Sequence, residues 1–187
     1  MSGWRIRHGW TGALLSDIEM FDEVISLVNR FPHRRQIFVC HGESVTGKAA
    51  EILSSNQELD GTERMCALHL SAPTIVADRE ISAKLLVTWL LSDAFGYPSH
   101  FLHRQTVNEI SHKLAAEVYR QNIQLLLIRD ARKLSPTFMR ALLTDRLSRL
   151  VARHLSFVLI GTNELLSNIL ECSDIHQQIT EWYSIEN

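Results

Sequence analysis

Gly42-Glu43-Ser44-Val45-Thr46-Gly47-Lys48 follows the apolar run Ile37-Phe38-Val39-Cys40 and leads into Ala49 to Leu53, a stretch compatible with a helix. A strand, a G-x-x-x-x-G-K loop and a helix start in that order make a phosphate-binding P-loop. Its backbone N–H groups wrap the phosphates, and the lysine ammonium neutralises their charge. The residue after the lysine normally supplies a Ser or Thr hydroxyl to Mg²⁺. Ala49 has no oxygen, so the loop reads as able to hold phosphates through Gly42 to Ala49 but poorly equipped to hold magnesium. The ordinary alternative is a strand-to-helix turn with a solvated lysine, and the order of the surrounding elements weighs against it.

Working outward, residues 11–29 place Leu14, Ile18, Phe21, Ile25 and Val28 at the spacing of an amphipathic helix, which Pro32 ends. Four short apolar runs read as buried parallel strands: QIFVC (36–40), CALHL (66–70), IQLLLI (123–128) and FVLI (157–160). Between them, helices are expected over 79–94, stopped by Gly96 and Pro98, over about 104–120, and from Pro136 to about Arg153. A final apolar piece, WYSI, follows. Strands alternating with helices imply an α/β fold, a parallel sheet with helices on both faces. The expected organisation is an N-terminal helical segment over 1–30 and one compact domain over 31–187.

Composition narrows the classes. The 187 residues are 45% hydrophobic, enough for one buried core, and the net charge of −2 creates no global field toward nucleic acid or membrane. Charge is nevertheless segregated. Arg129 to His154 holds seven Lys/Arg against Asp130 and Asp145, whereas Glu164 onward holds five acids and no Lys or Arg. Cys40, Cys66 and Cys172 are widely spaced, and the histidines show no HxxxH or HExxH pattern, so neither disulfides nor a metal site is expected. The sequence has no signal core and no apolar run near the roughly 20 residues of a membrane span, so a cytoplasmic protein is expected.

The segments together resemble the AAA+ ATPases of DNA transposition, the TniB/TnsC family related to the phage Mu B protein. The similarity runs from Phe31 to Tyr183. It is carried by the P-loop, by SAPTIVADREISAKLLVTWLLSDAFGYP (71–98), by LLLIRDARKLSP (125–136) and by FVLIGTNELL (157–166). The resemblance implies a P-loop NTPase (AAA+-like) sheet, ATP or ADP as ligand, and transposition proteins as partners: an AAA+ relative, a transposase or a target-selection protein. It also implies possible assembly as a homo- or hetero-oligomer along double-stranded DNA, on a mobile genetic element.

Departures from that family are concentrated where it does chemistry. After the third strand, relatives carry two acids, the first supporting Mg²⁺ and the second polarising water; here those places hold Arg129 and Asp130. An arginine there repels a divalent ion. The pair is either an ordinary one at a strand end or a degenerate acid site in which Arg129 partly replaces the metal's charge. Thr162 and Asn163 keep the polar, sensor-like position after the fourth strand. Trp182 stands where relatives carry an arginine that reaches a neighbour's nucleotide, and the small helical lid is expected to be essentially absent. With Ala49, Arg129, Asp130 and Trp182 all departing, no catalytic residue is expected, and nucleotide binding is expected to be weak.

Two surfaces remain open. Arg146, Arg149 and Arg153 fall on one helical face opposite Leu143, Leu147 and Leu150, either as a solvated basic face or as contacts to DNA phosphates. Trp4 and Trp10 flank Arg5, Arg7 and His8, either docking on a partner or forming a loose end. The function expected is a non-hydrolysing accessory or regulatory AAA+-like subunit of a transposition system. The alternatives are an active ATPase with unorthodox metal ligation and an interaction module that keeps only the fold.

Overall fold

The computed structural model describes residues 3–6, 14–15, 17–31, 33–42, 66–73, 82–143, 147, 149 and 154–186. Its strands are β1 (Gly3–Ile6), β2 (Leu14–Leu15), β3 (Ile37–Gly42), β4 (Cys66–Ser71), β5 (Ile123–Arg129), β6 (Ser156–Gly161) and β7 (Glu181–Glu186). Its helices are α1 (Asp17–Arg30), α2 (Ala83–Phe95), α3 (Ser99–His103), α4 (Val107–Arg120), α5 (Pro136–Leu143), α6 (Asn163–Leu170) and α7 (Ser173–His176). They build one sheet in the order β2-β1-β7-β3-β6-β5-β4. The five strands from β7 to β4 are parallel, as the alternation of elements predicts.

Why these runs are strands is visible in their burial. Every residue of β3 and of β6 is buried, so both faces of the sheet are covered and the runs are continuously apolar rather than alternating. On one face Ile37, Val39, Leu126, Ile128, Leu159 and Trp182 pack against the apolar stripes of α2, α4, α5, α6 and α7. Trp89 of α2 meets Phe138 of α5 edge-to-face, with ring centroids 5.2 Å apart. On the other face lie Phe38, Cys40, Leu127, Ile160 and Tyr183, with the Phe38 and Tyr183 rings 6.4 Å apart. Burial pushes the Cys40 thiol far up, so it is an inert core group.

The amino-terminal part differs from the periodicity. Instead of one helix over 11–29, α1 starts at Asp17, and Leu14 and Leu15 pair antiparallel with Arg5 and Trp4. β1 in turn pairs antiparallel with β7, Trp4 opposite Ile185. Leu14 fits a helical stripe, but pairing with a strand outweighs that local preference. The helix expected over about 104–120 is α4, whose start at Val107 is set by the reciprocal capping box of Thr106 and Glu109, and the five-residue α3 precedes it. Helix α2 starts at Ala83, capped by Ser82, and ends at Gly96, whose φ of 69° suits a residue without Cβ. Among the described residues, no helix is long and apolar enough to cross a membrane.

Helix α4 is tied to the end of α2 through Glu117, which accepts from the Tyr97 hydroxyl at 2.9 Å, from Arg120 Nη2 at 2.6 Å and from Gln121 Nε2 at 3.2 Å. The Arg120 hydrogen bond, followed by that from Tyr97, holds this carboxyl below the ordinary range. A folded-state pKa below the unfolded one adds stability that is fully present above the unfolded value and is lost as pH falls through the folded value. Glu117→Gln is therefore expected to lower Tm at pH 7, with the gap to the parent closing below about pH 4. A gap that stays constant down to acid pH in thermal melts would contradict the assignment.

Candidate functional site

In open parallel sheets, ligands bind beyond the carboxyl ends of the strands, at the point where the strand order reverses. From β3 the chain passes to β4 at the far edge, returns through β5 to β6 beside β3, and then crosses to β7 on the other side of β3. The reversal point is thus the end of β3, where Gly42 is the last strand residue, with φ 157°. Glu43, Ser44, Val45, Thr46, Gly47, Lys48 and Ala49, the rest of the sequence-predicted loop, lie outside the described residues.

Three neighbouring strand ends bring the other candidates to this edge. His41, 5% exposed, is paired between Gly161 of β6 and Ser184 of β7. Its Nδ1 lies 3.0 Å from Asn163 Oδ1. An amide oxygen only accepts, so Nδ1 is the donor, and the Asn163 amide nitrogen, a donor itself, is left for other partners. Thr162 is the N-cap of α6 in extended conformation, yet its hydroxyl makes no capping bond. The two sensor-like residues therefore stand together at the start of α6, and His41, which sequence reasoning treated only as one histidine among nine, orients one of them.

Arg129 closes β5 directly opposite Ser71, the last residue of β4. Its Nη2 donates to Ser71 Oγ at 3.3 Å, while Nε is buried with no hydrogen-bond partner. The Ser71 N–H is held by Asp93 of α2 at 2.9 Å. Asp130 follows in the left-handed region, φ 52° and ψ 33°, which Asp tolerates better than most residues. Its carboxylate pairs with Lys133 Nζ at 3.4 Å across the 3₁₀ turn Ala131–Lys133. Neither residue offers a free carboxylate at the strand end.

This turn is fastened to α6. Arg132 Nη1 pairs with Glu164 at 3.2 Å, and the Arg132 carbonyl accepts from Asn168 Nδ2 at 3.4 Å. Gly161 permits the approach, since a Cβ there would lie 2.9 Å from Leu165 Cβ and 3.4 Å from the Arg132 nitrogen. Trp182 is elsewhere: it sits in β7 opposite Val39, 5% exposed, with its ring 5.6 Å from that of His176. It is a core side chain. Arg149 is exposed, while Arg146 and Arg153 lie outside the described residues. Among the described residues no group of three His, Cys, Asp or Glu side chains could hold a metal ion.

The sequence matches no family model and no curated protein. Solved structures similar in fold include two of the Aeropyrum pernix ORC2 protein. The ADP form superimposes with a TM-score of 0.55 at 12% identity, over 95% of this chain and 50% of that one. The ADPNP–ADP complexes give 0.52 at 12% identity, over 89% and 47%. The chain thus spans about half the length of these structures. The likeness, with the strand order, shows that the chain shares the α/β fold of these structures, a parallel sheet flanked by helices.

A methyl group added at the junction of β6, α6 and the turn after β5 would press against the Leu165 side chain. Gly161→Ala is expected to destabilise by about 1–3 kcal/mol in urea unfolding. A change near zero would show that α6 is not held as closely as this contact requires.

Proposed function

We propose that the chain is a nucleotide-binding, non-hydrolysing accessory or regulatory subunit of a DNA transposition system. The observation that carries the non-hydrolysing reading is the end of β5. Where an ATPase of this fold places a metal-supporting acid and a water-polarising acid, there stand a guanidinium on Ser71 and an Asp130 engaged with Lys133. Ala49 removes the metal-binding hydroxyl as well, and Trp182 leaves no arginine to stabilise charge on a neighbour's nucleotide. An arginine finger alone is worth about 10³–10⁵ in rate.

Nucleotide binding is supported by different features. The GESVTGK sequence follows β3, the strand at the reversal point, and the Asn163 amide stands at the start of α6, just past the end of the adjacent strand β6. The ORC2 structures of the same fold were solved in an ADP form and as ADPNP–ADP complexes. The transposition context rests on the resemblance of residues 31–183 to the TniB/TnsC family. In that context the partners are an active AAA+ relative, a transposase or a target-selection protein, and double-stranded DNA. ATP or ADP acts as a bound signal rather than a fuel.

Steady-state assays with Mg²⁺ and ATP are expected to give no phosphate release above buffer, while ATP binds saturably and Lys48→Ala abolishes binding. Turnover above about 0.1 s⁻¹ that disappears in Lys48→Ala would instead establish an active ATPase with unorthodox metal ligation. Binding that is absent at millimolar nucleotide would leave an interaction module.

If Arg146, Arg149 and Arg153 touch duplex phosphates, their triple Ala variant loses affinity equally for unrelated sequences. Its plot of log affinity against log salt flattens by up to about 3, near 0.9 for each contact removed. An unchanged slope would assign the basic face to solvent.

A further inference from the structure

We infer that the amino edge of the sheet, where α1 leads into β3, binds single-stranded nucleic acid: Arg30, Arg34, His33 and His154 hold backbone phosphates while Phe31 stacks on a base. This edge is opposite the one at Gly42, roughly 20 Å away along β3, so it does not involve the phosphate loop.

Charge is the first observation. Residues 30–36 (RFPHRRQ) hold three arginines and a histidine and no acid. Arg30, His33 and Arg34 are exposed, and neither Arg30 nor Arg34 makes an ion pair among the described residues. The parallel register adds to this charge. β6 enters the sheet beside β3, with Ile37 opposite Phe157, so the residues leading into the two strands run side by side and the exposed His154 reaches the same edge as Arg34. Acids at the neighbouring strand entries are engaged: Glu117, ahead of β5, holds Arg120, and Asp174, ahead of β7, holds Arg140. Glu181, the first residue of β7, carries its Oε2 buried. A cation in the last turn of α1 is favourable by itself, but that accounts for Arg30 alone and not for the cations beyond the helix.

The turn that carries these groups is braced. Gln36 Nε2 donates to the Leu27 carbonyl at 2.8 Å, and the Arg34 N–H to the Phe31 carbonyl at 3.0 Å. The Phe157 N–H donates to the Gln36 carbonyl at 2.9 Å, and Arg35 Nη2 to Gln178 Oε1 at 3.1 Å. Side chains on a fixed backbone lose less freedom when a ligand binds.

Phe31 decides between partners. Its ring is 42% exposed, with the Arg30 guanidinium 5.5 Å from the centroid. Guanidinium forks match phosphate oxygens, and an exposed aromatic ring beside them offers a platform for a base. An unpaired base has a free π face to lay on that ring, whereas a duplex keeps its bases stacked inside and presents only its backbone.

Fluorescence anisotropy of the full chain with labelled oligothymidine, oligouridine and a duplex of the same length tests this. Both single strands are expected to bind more tightly than the duplex, and the tighter of the two names the source, DNA or RNA. Arg30→Ala combined with Arg34→Ala should flatten the plot of log affinity against log salt by up to about 1.4, near 0.7 for each phosphate contact removed. Phe31→Ala should lose about tenfold in affinity at an unchanged salt slope, and Phe31→Trp should retain it. Circular dichroism melts verify that each variant is folded. An absence of single-strand binding at low salt, a duplex that binds more tightly, an unchanged slope in the double Ala variant or an unchanged affinity in Phe31→Ala overturns the inference.

Discussion

Strand β3 is the constraint on which the rest depends. Its six residues are all buried, and it is hydrogen-bonded on one side to β6 and on the other to β7. Both neighbours join it from far along the chain, so register at β3 decides which residues reach the carboxyl edge together. Cys40 opposite Ile160 and Tyr183 puts His41 beside Gly161, and one residue further on Gly42 ends the strand. The entrance to β3 is fixed as well: the Gln36 N–H donates to Ser156 Oγ at 3.2 Å, and the Ile37 N–H to Thr180 Oγ1 at 3.0 Å. A one-residue slip would turn Phe38 and Cys40 to the other face and separate His41 from Asn163.

The parallel core was legible because its strands are buried on both faces and so appear as unbroken apolar runs. Ile123 to Ile128 and Phe157 to Ile160 needed only that one physical fact. The antiparallel addition of β1 and β2 was not legible. Trp4 and Leu14 find their partners through backbone pairing with Ile185 and Arg5, and no local pattern encodes such partners. The start of α4 was encoded, in the capping box of Thr106 and Glu109, whereas the five-residue α3 before it is too short for a helical stripe to show. For the site, sequence marked Arg129, Asp130, Thr162 and Asn163, and the structure brings them to one edge. It could not mark the tasks of His41 and Ser71, which arise from register, nor the burial of Trp182 opposite Val39.

The chemistry of that edge follows from a sign change. An acid at the end of β5 would recruit a divalent cation and, through it, a reactive water. An arginine there offers neither a metal ligand nor a base. The turn after β5 is also braced, by Arg132 on Glu164, by Asn168 on the Arg132 carbonyl and by the tight contact at Gly161. The end of β5 is therefore joined directly to α6.

The most direct test is a crystal structure of the full chain with ATP in the presence of a chelator. The account predicts the triphosphate at the carboxyl end of β3, beside Gly42 and the start of α6. Phosphates seated away from that edge, or no bound nucleotide, would contradict it.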